Sequence, residues 1–346
     1  MTASIPVGLI GTGFAASVYA EALRGVVGLR LVSVAGREAA KASALATTAG
    51  ADGYTDDTAS LMKSKEIDAV ILAVPPHAQP HLAMEAFRNG KHVLCEKPLA
   101  VALSDAMAVH DAWKRSGRIG MVNFCYRLIP QIAEFKRRIA AGECGELQSL
   151  HVEWVLSSRL NRKLTYHWKN QNELGGGALR NYGTHVIDYL FHDEPDVEVC
   201  GAVKHVHVKT RPDSNGVEWP ATADETVTVL FRMRGSVSAT MHLSLVTTPA
   251  SGHRIIARGS TGTLEVCNPD PRSPAGPFRL RFLTGAESEH EPVGLVTTCE
   301  ATTAGMFGRV LTGFYESMQN GRTCGLSVED ALRAARLVDT IERAAE

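Results

Sequence analysis

From Val7 to Ala16 the chain reads Val-Gly-Leu-Ile-Gly-Thr-Gly-Phe-Ala-Ala. A strand-length apolar run enters a glycine turn and leaves it on an alanine-rich stretch that suits a helix. Gly11, Gly13 and Ala16 then match the Gly-x-Gly-x-x-Gly/Ala fingerprint in the strand-before, helix-after context that gives it meaning. Gly11 permits the tight turn, Gly13 presents no side chain to a pyrophosphate, and Ala16 allows close helix-strand contact. The amino end of the helix supplies unpaired N–H groups and partial positive charge to phosphates. A plain tight turn is the bland alternative. It leaves unexplained the further apolar runs at residues 29–35, 69–74, 92–95 and 119–124, with helix-compatible segments at 15–24, 38–49 and 80–89 between them. Strands apolar at consecutive positions are buried on both faces, and their alternation with helices predicts a doubly wound parallel sheet.

The second strand ends in Ala35-Gly36-Arg37-Glu38. NAD-selective sites usually place an acidic residue there for the ribose 2′-hydroxyl. Gly36 leaves space instead, and the Arg37 guanidinium suits a 2′-phosphate. The pattern favours NADP(H). NAD(H) stays open, because Glu38 reaches the ribose in another register and Arg37 also reads as a solvent-facing first-turn arginine.

The chain has 346 residues, 45% of them apolar and 21% charged, with a formal net charge of -1. These values fit about two globular domains and give no general attraction to nucleic acid or anionic membranes. No run of about 18 apolar residues is present, and the first six residues lack the pattern of an export signal. Cys95, Cys125, Cys144, Cys200, Cys267, Cys299 and Cys324 are scattered and odd in number, which fits reduced thiols in a cytoplasmic protein. His205 and His207 alternate along a probable strand, yet no acidic cluster accompanies them, so no metal site is expected.

A second set of motifs is more specific. These are Ala73-Val74-Pro75-Pro76-His77, then Gly90-Lys91-His92-Val93-Leu94-Cys95-Glu96-Lys97-Pro98, Asn123-Phe124-Cys125-Tyr126-Arg127, Trp168, Gly175-Gly176-Gly177 and Gly183-Thr184-His185-Val186-Ile187-Asp188. In this order the chain resembles the Gfo/Idh/MocA oxidoreductases, the family of glucose-fructose oxidoreductase and inositol dehydrogenase, over nearly its whole length. The resemblance implies an N-terminal Rossmann domain, placed at residues 1–125. It also implies a substrate-binding and oligomerisation α/β domain at 126–346, built on a large, mainly antiparallel sheet. The β-rich segments at 147–154, 199–208, 225–233, 236–245 and 254–257 agree with this, and 269–277 reads as an exposed proline-rich loop.

The resemblance also implies the chemistry: hydride transfer between a nicotinamide and a secondary hydroxyl or ketone of a sugar, cyclitol or derivative. His185 becomes the general acid/base and Lys97 the group that orients and polarises the reacting oxygen. Cofactor contacts fall on Gly11, Gly13, Phe14, Ala15, Gly36, Arg37, Pro75, His77, Glu96 and Lys97. Substrate contacts fall on Lys97, Asn123, Tyr126, Arg127, Trp168, Asn181 and His185, with Tyr166 and His167 as further candidates. A homodimer or homotetramer is expected. The chain departs from the family pattern at Asn181, where an aspartate is usual. In a regular helix over 178–191, Asn181, His185 and Asp188 share one face. An amide there holds geometry but relays no proton. Two alternatives stay open: a glycosidase using bound NAD in a transient oxidation, and a non-catalytic dinucleotide-binding regulator.

Overall fold

The structure is a computed structural model that describes residues 4–273, 275–284, 298–299, 302–323 and 325–346. Cys324 lies outside the described residues.

The first part of the chain alternates strand and helix: β1 (Ile5–Ile10), α1 (Phe14–Leu23), β2 (Leu29–Ala35), α2 (Ala39–Ala49), β3 (Gly53–Thr55), α3 (Thr58–Lys63), β4 (Ala69–Leu72), α4 (Gln79–Arg88), β5 (His92–Cys95), α5 (Leu103–Ser116) and β6 (Gly120–Val122). The six strands form one parallel sheet in the order β3-β2-β1-β4-β5-β6. Burial on both faces explains the continuous apolar runs: all four residues of β4 are inaccessible to solvent. The strand order reverses between β1 and β4, the switch point at which open α/β sheets bind ligands beyond the carboxyl ends of the strands.

The second part carries α6 (Pro130–Ala140), β7 (Leu147–Val155), a π-helical turn at Leu179–Gly183, α7 (Thr184–Phe191) and β8 (Glu198–His205). It continues through the hairpin β9 (Thr210–Pro212) and β10 (Glu218–Pro220), then β11 (Thr226–Arg232), β12 (Ser238–Ser244), β13 (Gly252–Gly259), β14 (Thr263–Asn268), β15 (Phe278–Leu283) and β16 (Thr298–Cys299). Eight of these strands form a sheet in the order β16-β15-β14-β13-β7-β12-β11-β8, antiparallel except for β7 beside β12. One face is a core of alternating residues, among them Val152, Val229, Met241, Ile255, Val266 and Leu280. The expected loop at 269–277 is only partly exposed. Asn268 folds it back by donating to the Ser273 carbonyl at 2.6 Å, and Ala275 and Gly276 are buried.

Helices α8 (Thr303–Asn320) and α9 (Val328–Ala344) complete the chain. The sequence suggests one domain over 126–346, whereas residues 303–335 cluster with the first unit and 336–346 with the second. The reason lies in α8. Phe307, Val310, Leu311 and Phe314 form an i, i+3, i+4, i+7 stripe, all buried, and the Phe307 ring lies 4.7 Å from that of Tyr19 on α1. Each such side chain contributes about 1.5–3 kcal/mol on burial.

Candidate active site

The first unit presents a dinucleotide cradle. Gly11 sits at φ 126° at the end of β1, and a Cβ there would overlap the carbonyl of Ala73, so only glycine fits. Gly13 differs in kind. A Cβ at this position meets no atom within 4 Å, so the space before it is free of protein. Gly13 is also the N-cap of α1, which has no side-chain cap and no acidic residue in its first turn. Open space facing uncapped helical N–H groups fits a pyrophosphate. Phe14, 73% exposed, and Ala15 open the helix. At the end of β2, a Cβ on Gly36 would press on the Thr12 methyl group. Arg37 is exposed, and Glu38 accepts from Lys41 Nζ at 2.7 Å. After β4, Pro75 accepts from the Ala78 N–H and His77 is exposed.

Lys97 follows β5 in a loop with a cis bond to Pro98. The loop is held by a residue that the sequence did not single out. Gln79, at the start of α4 and fully buried, donates from Nε2 to the carbonyls of Glu96 at 2.6 Å, Pro98 at 2.9 Å and Leu99 at 3.2 Å. Glutamine at a helix start is usually solvated, so no local signal marks it. The Glu96 carboxylate accepts from Asn123 Nδ2 at 2.7 Å and from the Lys97 N–H at 3.3 Å. Burial raises its pKa, while Lys97, Asn123 and Tyr19 pull the other way. Burial, with Glu96 second, pushes the Tyr19 phenol well above its ordinary value. Glu96 and Asn123, expected at cofactor and substrate, thus act on the loop that carries Lys97.

The second unit presents His185, buried one residue into α7. Its ring lies 4.6 Å from that of Tyr126, which packs 4.9 Å from Trp154. Trp154 stacks on His253 at 4.1 Å and 2°, and His253 Nε2 pairs with the Tyr189 hydroxyl at 2.8 Å. Burial lowers the His253 pKa to about 3, so it is a neutral packing group. Asp188 is bound by Arg127, with Nε 2.9 Å from Oδ2 and Nη2 on Oδ1. This pair, both members in the second unit, braces α7 and occupies the guanidinium that the sequence offered to substrate. Tyr166 stacks with Trp219 instead, and Trp168 opens a short 3₁₀ turn under the Lys169 ammonium.

Asn181 shows where regular periodicity fails. Residues 179–183 form a π-turn, which breaks the 3.6-residue spacing that put Asn181, His185 and Asp188 on one face. Asn181 Nδ2 donates to the Gly177 carbonyl at 2.7 Å. An aspartate has no proton to give in that bond once ionised. The turn is fixed further by Asp224, which accepts from Leu179 N at 2.9 Å, and by Arg180, which reaches Asn172 at 2.6 Å and Glu342 at 2.8 Å. Gly177 (φ 107°) lets the Asp224 carboxylate approach the backbone. Among the described residues there is no group of three or more His, Cys, Asp or Glu able to hold a metal ion, and no helix long and apolar enough to cross a membrane.

Comparisons with known proteins agree with this arrangement. The oxidoreductase family described as having an NAD-binding Rossmann fold matches residues 5–124, and the GFO/IDH/MocA C-terminal domain matches 132–265. The levoglucosan dehydrogenase of Pseudarthrobacter phenanthrenivorans is 28% identical over 264 residues, covering 68% of this chain and 67% of the relative. The inositol 2-dehydrogenase of Rubrobacter xylanophilus is 34% identical over 166 residues, 47% of each chain. A solved levoglucosan dehydrogenase in complex with NADH and L-sorbose superposes with a TM-score of 0.88 at 22% identity, covering 99% of this chain and 97% of that one. At that identity the likeness is one of fold. With both family domains matched in order on a parallel six-stranded sheet and a mainly antiparallel eight-stranded one, the chain belongs to the Gfo/Idh/MocA oxidoreductases.

Proposed function

We propose that this protein transfers hydride between a nicotinamide dinucleotide and a secondary hydroxyl or ketone of a sugar, cyclitol or sugar derivative. The observation that carries the reading is the protein-free space before Gly13 at an uncapped helix end, in a chain that also holds Lys97 after β5 and His185 on α7. Relatives named for levoglucosan and inositol support the substrate class. The nicotinamide, when bound, supplies the hydride acceptor or donor. His185 takes the proton from the substrate hydroxyl during oxidation and returns it during reduction, as an imidazole can near neutral pH. Lys97 donates a hydrogen bond to the same oxygen and stabilises negative charge there. Asn181 holds the Gly177 carbonyl and Asp188 the Arg127 guanidinium, which makes His185 and Lys97 the groups assigned to the proton.

NADP(H) is the preferred cofactor in this reading, with NAD(H) as the alternative. Glu38 is engaged by Lys41, which leaves the exposed Arg37 to meet a 2′-phosphate. Titration with NADPH and NADH tests both claims. Gly13→Val should remove binding of both cofactors while the protein stays folded, because a Cβ at this position meets no protein atom within 4 Å. Arg37→Ala should weaken NADPH by about 1–3 kcal/mol and leave NADH nearly unchanged. Wild-type affinity in Gly13→Val would remove the cradle assignment, and equal losses in Arg37→Ala would remove the preference.

The reading includes a homodimer or homotetramer. On the face of the eight-stranded sheet opposite the core, Val203 is 53% and Leu230 46% exposed on neighbouring strands. It also includes a cytoplasmic location, supported by free thiols at Cys95, Cys125, Cys144, Cys200 and Cys267.

A further inference from the structure

The first unit has a cavity of about 510 Å³ at the amino ends of β1, β4, β5 and β6. This is the edge of the sheet opposite the switch-point crevice. Its polar lining is Lys65, Lys91, Arg118, His92, Asn89 and Asp68. Three cations thus face one carboxylate, leaving a surplus of two positive charges. Among the described residues, neither the Lys65 ammonium nor the Arg118 guanidinium has a hydrogen bond or ion pair, and Asp68 forms no salt bridge.

Two lining groups are preset as donors. Lys91 is buried and anchored by the carbonyls of Ser64 and Ile67, each at 2.6 Å, which leaves one of its three protons unused. His92 Nδ1 accepts from the Ile119 N–H at 2.9 Å, so the neutral ring carries its proton on Nε2. Burial and the Arg118 charge lower the pKa of His92 against the pull of Asp68; burial lowers that of Lys91, where Asp68 raises it more than Arg118 lowers it. The lining thus holds more positive charge than Asp68 balances, and a bound anion would offset the surplus. A surplus of two matches a dianion, and a guanidinium matches phosphate in shape. The volume exceeds that of a bare phosphate.

We propose that this cavity binds the phosphate group of a small phosphorylated metabolite, apart from the dinucleotide and independently of the redox reading. The test uses inorganic phosphate and glycerol 3-phosphate, titrated into the full chain against chloride at matched ionic strength, with dinucleotide saturating. The expected result is saturable binding that weakens roughly tenfold or more in Lys65→Ala and in Arg118→Ala, exposed positions that should not disturb folding. Tighter binding of glycerol 3-phosphate than of phosphate would place the organic moiety in the same cavity; equal binding would make free phosphate the ligand. In the wild type, the His92 ring followed by NMR should titrate at higher pH in phosphate than in chloride. Absence of saturable binding would overturn the proposal. So would undiminished binding in the Lys65→Ala/Arg118→Ala double variant, or phosphate binding in the wild type that disappears when dinucleotide is saturating, which would assign the phosphate to the dinucleotide cradle.

Discussion

Replacing His185 by alanine should lower turnover by roughly 10²–10⁴-fold, the loss typical of removing an acid/base group, while dinucleotide affinity changes little. Lys97→Ala should fall in the same range. The two residues are assigned to one oxygen atom, so the double variant should lose far less than the product of the single losses. Tyr126 and Trp154 pack beside His185, Trp154 stacks on His253, and His253 pairs with Tyr189, so circular dichroism and thermal melting of His185→Ala should accompany the turnover measurement. A folded His185→Ala protein with near-normal turnover would remove His185 from the chemistry and leave Lys97 as the proton carrier.

The second large effect concerns stability. The Asp188 side chain is 1% exposed and that of Arg127 is 14% exposed. Arg127→Ala leaves a buried carboxylate without its principal counter-charge, which costs about 3–5 kcal/mol. For a domain of this size that corresponds to a fall in melting temperature on the order of 10 °C. Replacing both partners with apolar residues of similar volume should recover most of the loss, because a buried pair gives little net stability over a hydrophobic isostere. A melting temperature within a degree or so of wild type in Arg127→Ala would mean that the pair does not brace α7.

Much of the first unit was legible in the sequence because burial on both faces leaves a plain mark. The runs at 29–35 and 92–95 coincide with β2 and β5. Strand β3, only three residues long, and helix α3, six residues long, are too short to carry periodicity. Helix α5 leaves a weak mark as well: its apolar stripe is thin, with Ala106, Val109 and Ala112 its buried residues. The return of α8 to the first unit depends on Tyr19 meeting Phe307 across nearly three hundred residues, which no local pattern encodes.

The candidate site divides the same way. Gly11, Gly13, Lys97 and His185 stand in motifs whose spacing is chemical. The residues that hold them are not so marked. Gln79 looks like an ordinary first-turn polar residue until its three carbonyl partners are known. Asp224 carries no local mark of its role, which is to accept from the backbone N–H of Leu179, 45 residues earlier. Regular helical spacing puts Asn181 on the face of His185, whereas residues 179–183 form a π-turn in which its amide donates to the Gly177 carbonyl.

The measurement that bears most directly on the function is the absorbance of reduced nicotinamide when the protein is mixed with NADP+ or NAD+ and a panel of sugars and inositols. The expected result is reduction of the dinucleotide with at least one member of the panel, faster with NADP+, and abolished in Gly13→Val. A protein that binds the dinucleotide but reduces it with no sugar or cyclitol, and oxidises it with none of the corresponding ketones, would contradict the account.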